Sequence, residues 1–201
     1  MKDTEKRPEI VVFAGPNGSG KSTFTELLRP LFDYINADEI KKNLQCSDLD
    51  AAKLAERQRE EHIEKGLDFC FETVLSTRRN LDLLKKAKEK GYFVRCYYIL
   101  TEDPIINVFR VKSRVLLGGH DVPVDKIISR YHDCLRLMKE VIETSDVCHV
   151  YDNSTQNPIR IFKKRKTECF FDDCESWSAE KIAELTGTSD AVKKNLNINK
   201  G

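Results

Sequence analysis

The chain has 201 residues, which is enough for one domain with a sizeable core and short for two. Its hydrophobic fraction of 40%, charged fraction of 33% and formal net charge of +1 are ordinary for a globular protein, so nothing favours a nucleic-acid or membrane partner. The apolar runs are too short to span a bilayer, and the charged first ten residues contain no apolar signal core. Seven cysteines without a CxxC pair predict reduced thiols in a cytoplasmic protein.

Short apolar runs alternate with helical patterns along the chain. Strands are predicted at 9–15, 32–38, 67–75, 92–100 and 147–154, with a sixth candidate at 158–165. Helices are predicted at 21–29, 48–65, 80–91, 103–117 and 123–143, and near the C-terminus at 174–185. This order predicts an α/β fold with a mainly parallel sheet of about five to six strands and helices on both faces. We expect a single domain over 1–201, with a core of about 9–160 and a C-terminal extension at 161–201.

The first predicted strand is followed by GPNGSGKST, residues 15–23. This segment completes the pattern G-x-x-x-x-G-K-[ST] between a strand and a helix, where a phosphate-binding loop must lie. Glycines let the backbone N–H groups point inward, and the helix N-terminus favours anionic oxygens. Lys21 would contact the outer phosphates of ATP, and Ser22 would hold Mg²⁺. The predicted nucleotide-binding residues are Gly15, Pro16, Asn17, Gly18, Ser19, Gly20, Lys21, Ser22 and Thr23.

Further motifs separate the classes of protein that share this loop. ABC-type ATPases need an LSGGQ signature and a hydrophobic strand ending in Asp-Glu, and GTPases need NKxD, but the chain contains none of these. The segment LLGGHD, residues 116–121, has two glycines but lacks the serine and the glutamine. The remaining features favour a kinase.

Polar residues follow the second and third predicted strands. Asp38 lies at the carboxyl end of the second strand, the edge where open α/β sheets bind ligands, and its carboxylate can accept the proton of an attacking hydroxyl. The alternative is that Asp38 caps the helix that follows. Glu72 and Thr73 end the third strand at the same edge, so we expect both to contact the substrate and Glu72 to hold a water on Mg²⁺. A polar strand end without function is the alternative for this pair.

Three arginines flank a glycine pair in the second half of the chain. Arg110 and Arg114 are four residues apart on one predicted helix and therefore share a face, and Arg130 lies on the next helix. Glycines between the two helices permit hinge motion, and guanidinium groups neutralise a transferring phosphoryl group. The pattern predicts a helical lid, with Arg110 contacting substrate. Pairing of these arginines with surface acids is the alternative.

Other polar features have simpler interpretations. Asp152 ends the fifth strand and either shapes the nucleotide-base side of the pocket or starts a turn. The lysine-rich segment 163–166 is expected to protect an edge strand. Cys169 and Cys174 are close in sequence but lack two further ligands for a metal site.

Six segments occur in the order found in zeta-toxin-like P-loop kinases, which the chain resembles over about residues 9–160. They are FAGPNGSGKSTF, INADEI, FCFETVLS, RVKSRVLLGGHDVP, IISRY and VYDNS. The resemblance implies a P-loop NTPase fold and transfer of phosphate from ATP, with Mg²⁺, to a small-molecule hydroxyl. In the best-known members the acceptor is the 3′-hydroxyl of UDP-N-acetylglucosamine, and some members are held inactive by a small antitoxin protein. The phosphate loop reads GPNGSGKS where the toxins more often show a Gln-Pro version, and the chain is compact, as in the short branch of the family.

The same resemblance implies roles for individual residues. Asp38 would be the catalytic base, Lys21 and Ser22 would act on phosphate and Mg²⁺, and Arg114 and Arg130 would be lid arginines. A substrate-side role is implied for Glu72 and Thr73.

Three functions are compatible with these residues. The first is an ATP- and Mg²⁺-dependent kinase that phosphorylates a small molecule, with a nucleotide sugar as one candidate acceptor. The second is a P-loop ATPase or nucleotide-dependent regulatory switch that has no small-molecule acceptor. The third is a nucleic-acid 5′-hydroxyl kinase, against which the nearly neutral net charge argues.

Overall fold

The computed structural model describes residues 6–172 and 176–188, which form seven strands and seven helices. The strands are β1 (Glu9–Ala14), β2 (Asp33–Tyr34), β3 (Phe69–Thr73), β4 (Phe93–Leu100), β5 (Val147–Asp152), β6 (Ile159–Arg165) and β7 (Glu168–Phe171). The helices are α1 (Lys21–Leu28), α2 (Ala37–Leu44), α3 (Asp48–Lys65), α4 (Arg78–Glu89), α5 (Pro104–Leu116), α6 (Val124–Thr144) and α7 (Ala179–Thr186).

The strands form one sheet in the order β2-β3-β1-β4-β5-β6-β7. The first five in this order are parallel, and β6 and β7 continue the sheet as antiparallel strands. The predicted α/β P-loop NTPase fold with a mainly parallel sheet is confirmed. The predicted number of five to six strands is too low, because β7 returns along β6 after a short turn and carries no apolar run long enough to be recognised.

The central strand β1 is buried on both faces, which explains why its residues 10–14 are all apolar. Alternate side chains of β1, β3, β4 and β5 pack on one face against α3, α4, α6 and α7 in the larger hydrophobic core. On the opposite face a smaller cluster forms around Phe13 and Ile99, and Phe24 of α1 covers it. The helices therefore cover the two faces unequally, and the carboxyl ends of β1 and β3 meet where Ala14 lies beside Thr73.

The region predicted as a strand at 32–38 is mostly not a strand. The strand β2 has two residues, and α2 begins at Ala37 because the Oδ1 atom of Asn36 accepts a hydrogen bond of 2.7 Å from the backbone N–H of Asp38. Helix α2 has no fully buried residue and only eight residues, so its apolar positions Ala37, Ile40 and Leu44, although at helical spacing, give a short signal from which to predict it. Asp38 consequently lies in the first turn of a helix and not at a strand end.

The lysine-rich segment 163–166 does not protect an edge strand, because β6 pairs with both β5 and β7. The Lys164 ammonium instead donates hydrogen bonds to the carbonyls of Ile142, Glu143 and Ser145 at 2.6, 3.0 and 2.9 Å. These carbonyls lie at the C-terminal end of α6, where a cation interacts favourably with the helix dipole. The basic residue thus fixes the end of a helix to the sheet.

The C-terminal region agrees with the sequence only in part. Helix α7 begins at Ala179, after a Ser178 cap, and not at residue 174. Cys174 and most of the predicted tail, at 189–201, lie outside the described residues. Asp152 accepts hydrogen bonds from the backbone N–H and the hydroxyl of Ser154, at 3.1 and 2.5 Å, so this buried carboxylate starts a turn.

Candidate functional site

The phosphate-loop segment joins β1 to α1 and has a backbone shape that excludes larger residues. Gly20 precedes α1 in the left-handed conformation, with φ of 96°, and the helix has no side-chain cap. Its first N–H groups are therefore free to bind an anion. A Cβ atom at Gly15 would lie 1.9 Å from the Ile99 carbonyl oxygen, and one at Gly20 would lie 2.3 Å from the amide nitrogen of Asn153. Gly15 is therefore required by space as well as by conformation, whereas a side chain at Gly20 would have a strained backbone and would displace the Asn153 amide.

Lys21 lies at the base of this loop with its side chain folded back onto it. Its ammonium donates hydrogen bonds of 2.9 Å to the carbonyls of both Gly15 and Pro16. Burial lowers the pKa of Lys21 to about 8, and the nearby Glu72 carboxylate opposes this shift. The lysine is thus a desolvated cation held at the predicted phosphate site.

Ser22, Glu72, Tyr34 and Asn36 form a hydrogen-bond network beside the loop. The Ser22 hydroxyl donates to one oxygen of Glu72 at 3.1 Å, and the Tyr34 hydroxyl donates to the other at 2.8 Å. Asn36 donates to the Tyr34 oxygen, and burial followed by the charge of Glu72 raises the pKa of Tyr34. A hydroxyl and a carboxylate in contact fit Mg²⁺, which binds few protein oxygens and keeps waters or phosphate oxygens as its other ligands.

Most of the residues predicted to form the site line one cleft of about 440 Å³, but Arg130 is not among its lining residues. Asp38, Glu72, Thr73, Arg110 and Arg114 meet the phosphate loop there. A second cleft of about 600 Å³ shares Asp38 and Arg114 with the first. Its other lining residues are Lys41, Lys42, Gln45, Cys46 and His120.

Asp38 is an exposed residue where these two clefts join. The structure contradicts the alternative that Asp38 is a helix cap, because Asn36 caps α2. Thr73 is held by hydrogen bonds that its hydroxyl oxygen accepts from the Leu75 N–H at 3.0 Å and the Asn80 amide at 2.8 Å. The Thr73 side chain is therefore positioned before any ligand arrives.

The three arginines approach the loop from α5 and α6. Arg114 donates to the His120 carbonyl at 2.7 Å, which links α5 to the turn that follows it. Arg130 donates to the side-chain oxygen of Asn17 in the phosphate loop at 3.3 Å. Arg110 donates to the Ser154 carbonyl at 3.3 Å, and its Nη1 atom is buried without a hydrogen-bond partner in the described residues. None of the three forms an ion pair with a carboxylate in the described part of the chain, which contradicts the surface-pair alternative there.

Several residues of the site were missed from the sequence, including Tyr34 and Asn36 of the hydrogen-bond network and two others. The Asn153 amide donates to the Ser19 carbonyl at 2.8 Å and so holds the phosphate loop against the end of β5. Arg59 of α3 lines the first cleft although it belongs to a helix that looks like a charged surface helix. The segment VYDNS carried a signal for Asn153, but the spacing of α3 contains none for Arg59.

The profile of the Zeta toxin family matches residues 1–173 of the chain. The protein belongs to the zeta toxin family. A 129-residue stretch is 32% identical to an uncharacterized protein of Haemophilus influenzae and covers 61% of this chain and 92% of that protein. Membership of the zeta toxin family and the P-loop fold together indicate a kinase- or ATPase-type protein.

Several solved structures share the fold of this zeta toxin family member. The AvrRxo1-ORF1:-ORF2 structure with ATP gives a TM-score of 0.71 at 15% identity, covering 90% of this chain and 64% of that chain. The PezAT chromosomal toxin–antitoxin system of Streptococcus pneumoniae gives a TM-score of 0.60 at 16% identity, covering 97% of this chain and 90% of that chain. The chain thus spans less than two thirds of the AvrRxo1 chain, and identities this low show the fold alone.

Within residues 6–172 and 176–188, no helix combines the length and the apolar character that crossing a membrane requires.

Proposed function

We propose that this protein is a kinase that transfers the γ-phosphoryl group of ATP to a hydroxyl group of a small molecule. The observation that carries the proposal is the position of Asp38 where two clefts join. The first cleft contains the phosphate loop, and the second, on the other side of Asp38, has room for a separate molecule. An ATPase or switch has no need of a second cleft that ends at a carboxylate.

The residues of the first cleft supply what phosphoryl transfer needs. The loop N–H groups and Lys21 bind the phosphates of ATP, and Ser22 with Glu72 holds Mg²⁺. The metal ion, when bound, neutralises charge on the β- and γ-phosphates. Asp38 orients the acceptor hydroxyl and takes its proton as the new bond forms, and Arg114 and Arg130 stabilise the charge of the transferring group.

Family membership, and not the shape of the clefts, supplies the acceptor and the partner that should be tested first. A nucleotide sugar such as UDP-N-acetylglucosamine is the first acceptor to test, because the chain resembles zeta-toxin-like kinases along most of its length. An antitoxin protein is a candidate partner, because the PezAT structure is described as a toxin–antitoxin system. A cytoplasmic location stays part of the proposal.

The substitution Asp38→Asn tests the proposal, once the wild-type protein has been incubated with labelled ATP and a panel of acceptors. The panel contains UDP-sugars, nucleosides and 5′-hydroxyl oligonucleotides, so it also covers a nucleic-acid kinase. Asp38→Asn keeps the shape but removes the base, so transfer should fall by about 10²–10⁴-fold while ATP affinity is retained. The exposed Asp82 of α4 provides a matched Asp82→Asn control, which should keep full activity.

Two results would contradict the proposal. Full transfer by the Asp38→Asn variant would exclude Asp38 as the base. ATP hydrolysis without labelling of any acceptor would favour the ATPase or switch. In that case wild type and the Asp38→Asn variant should bind and hydrolyse ATP almost equally.

A further inference from the structure

Arg59 is a buried cation that forms no direct ion pair in the described part of the protein, and the charges of Glu56 and Glu60 offset only part of its desolvation. Its relative exposure is 9%, and its guanidinium lies 5.1 Å from the centroid of the Phe71 ring. The Nε atom is buried without a hydrogen-bond partner. Glu56, one turn earlier on α3, pairs with Arg79 at 3.4 Å instead. Arg59 itself takes part in no ion pair within residues 6–172 and 176–188.

Burying a guanidinium in this environment is energetically unfavourable unless an anion from outside the chain pairs with it. Burial lowers the pKa of Arg59, which shows that the charged form is poorly solvated there. A buried charge normally has a partner of opposite charge. Replacing buried charged groups by well-packed apolar side chains often leaves protein stability unchanged or raises it. Stacking on Phe71 offsets only part of this cost, because a cation–π contact is weak beside the cost of burying an unpaired charge.

The position of Arg59 indicates which bound molecule would supply its counter-charge. Arg59 lines the first cleft together with Thr73, Val74 and Asp38, on the side formed by α2, α3 and β3. The phosphates of ATP have their own donors in the loop backbone and Lys21. The open ligand position at Arg59 is therefore in the part of the first cleft that the phosphates of ATP leave free. An acceptor that occupies the second cleft would reach it past Asp38, which lines both clefts.

We propose that Arg59 is an acceptor-binding residue that forms an ion pair with a phosphate or carboxylate group of the acceptor. The proposal rests on the proposed function, because it assumes that a second substrate enters the cleft beside Asp38. It implies that the acceptor is an anion and that the uncharged form of the same molecule is a poor substrate. A planar guanidinium can bind either type of anion through two parallel hydrogen bonds.

The test compares Arg59→Gln with Arg57→Gln, a control on the same helix. The Arg57 side chain is 76% exposed and pairs with Glu61 on the helix surface. Each protein is first saturated with Mg²⁺ and a non-hydrolysable ATP analogue, which occupies the phosphate loop. Inorganic phosphate and acetate are then titrated separately and followed by NMR line broadening, so that the two anion types are distinguished. Wild type and Arg57→Gln should bind at least one anion, and Arg59→Gln should bind it at least tenfold more weakly.

Transfer assays and melting temperatures complete the experiment. With UDP-N-acetylglucosamine and its uncharged sugar as a matched pair, Arg59→Gln should raise the acceptor KM at least tenfold and leave the ATP KM unchanged. Its melting temperature should equal or exceed that of wild type, because a desolvated charge has been removed. A lower melting temperature with unchanged anion binding would assign Arg59 to packing on Phe71 and overturn the proposal.

Other outcomes separate this inference from the proposed function. Loss of affinity for the ATP analogue in Arg59→Gln would place Arg59 at the nucleotide and overturn the assignment. Failure of wild type to bind either anion would also overturn it. Efficient transfer to a neutral acceptor, unchanged in Arg59→Gln, would reject the Arg59 assignment and leave the kinase intact. Arg59-dependent anion binding without transfer to any acceptor would reject the kinase and retain the anion site.

Discussion

Binding of ATP should draw a proton onto Lys21. The pKa of Lys21 is lowered from 10.5 to about 8 by burial, so part of the protein carries a neutral amine in mildly alkaline solution. The phosphates of ATP would place negative charge beside this amine and raise its pKa again. If the bound-state pKa returns above 10, uptake should be about half a proton at pH 8, about nine-tenths at pH 9 and close to zero at pH 6.5.

Isothermal titration calorimetry measures this uptake directly. The binding enthalpy of the ATP analogue with Mg²⁺ is compared in Hepes and Tris, whose ionisation enthalpies differ, at pH 8 and pH 9. The substitution Lys21→Met removes the titrating group, so it should abolish the uptake, weaken binding and eliminate phosphoryl transfer. If the binding enthalpy of wild type is the same in the two buffers at both pH values, no proton is taken up and the reasoning is refuted. Unchanged proton uptake in the Lys21→Met variant would refute it as well.

Two further predictions concern the lid and the loop. Arg114→Ala and Arg130→Ala should lower mainly kcat and change ATP affinity less, as expected if their guanidinium groups act on the transferring phosphoryl; a fall in ATP affinity without a change in kcat would contradict this. Gly20→Ala should weaken ATP binding at least tenfold, because its Cβ would meet the Asn153 amide at 2.3 Å. Gly66 also has a positive φ but faces open space, so it provides the control. Gly66→Ala should cost only about 1 kcal/mol of stability and leave ATP binding unchanged. Equal ATP affinity in the Gly20 variant and wild type would contradict the close packing of the loop.

The parts of the fold with strong local signals could be predicted from the sequence. Strand β1 is a continuous apolar run followed by a complete phosphate-loop motif, and α3 was predicted with its observed bounds. Helix α2 was missed because it is eight residues long and buries no residue fully, so its three apolar positions gave too short a periodic signal. Lys164 was misinterpreted for a different reason, since a lysine that fixes a helix end looks the same in sequence as one that protects an edge.

The site was predictable to a similar extent. Residues in a motif or at a strand end, such as Lys21 and Glu72, lie together in the cleft as expected from their place in the sheet. Arg59 could not be found in this way, because one arginine among many charges on a helix shows no sign of burial. Its orientation depends on how α3 packs over β3, which is a tertiary property.

The hydrogen bond between Asn153 and Ser19 also determines when, during synthesis, the chain becomes able to bind a nucleotide. The two residues are 134 positions apart, and the contact forms only after β5 has paired with β4. A ribosome-bound chain that has released β1 and α1 therefore has the loop sequence but lacks the side chain that fixes its shape. Because closure of such a long segment is entropically costly, we expect nucleotide affinity to appear late in translation, after most of the sheet has assembled. Premature termination before β5 would then yield fragments with little ability to bind ATP.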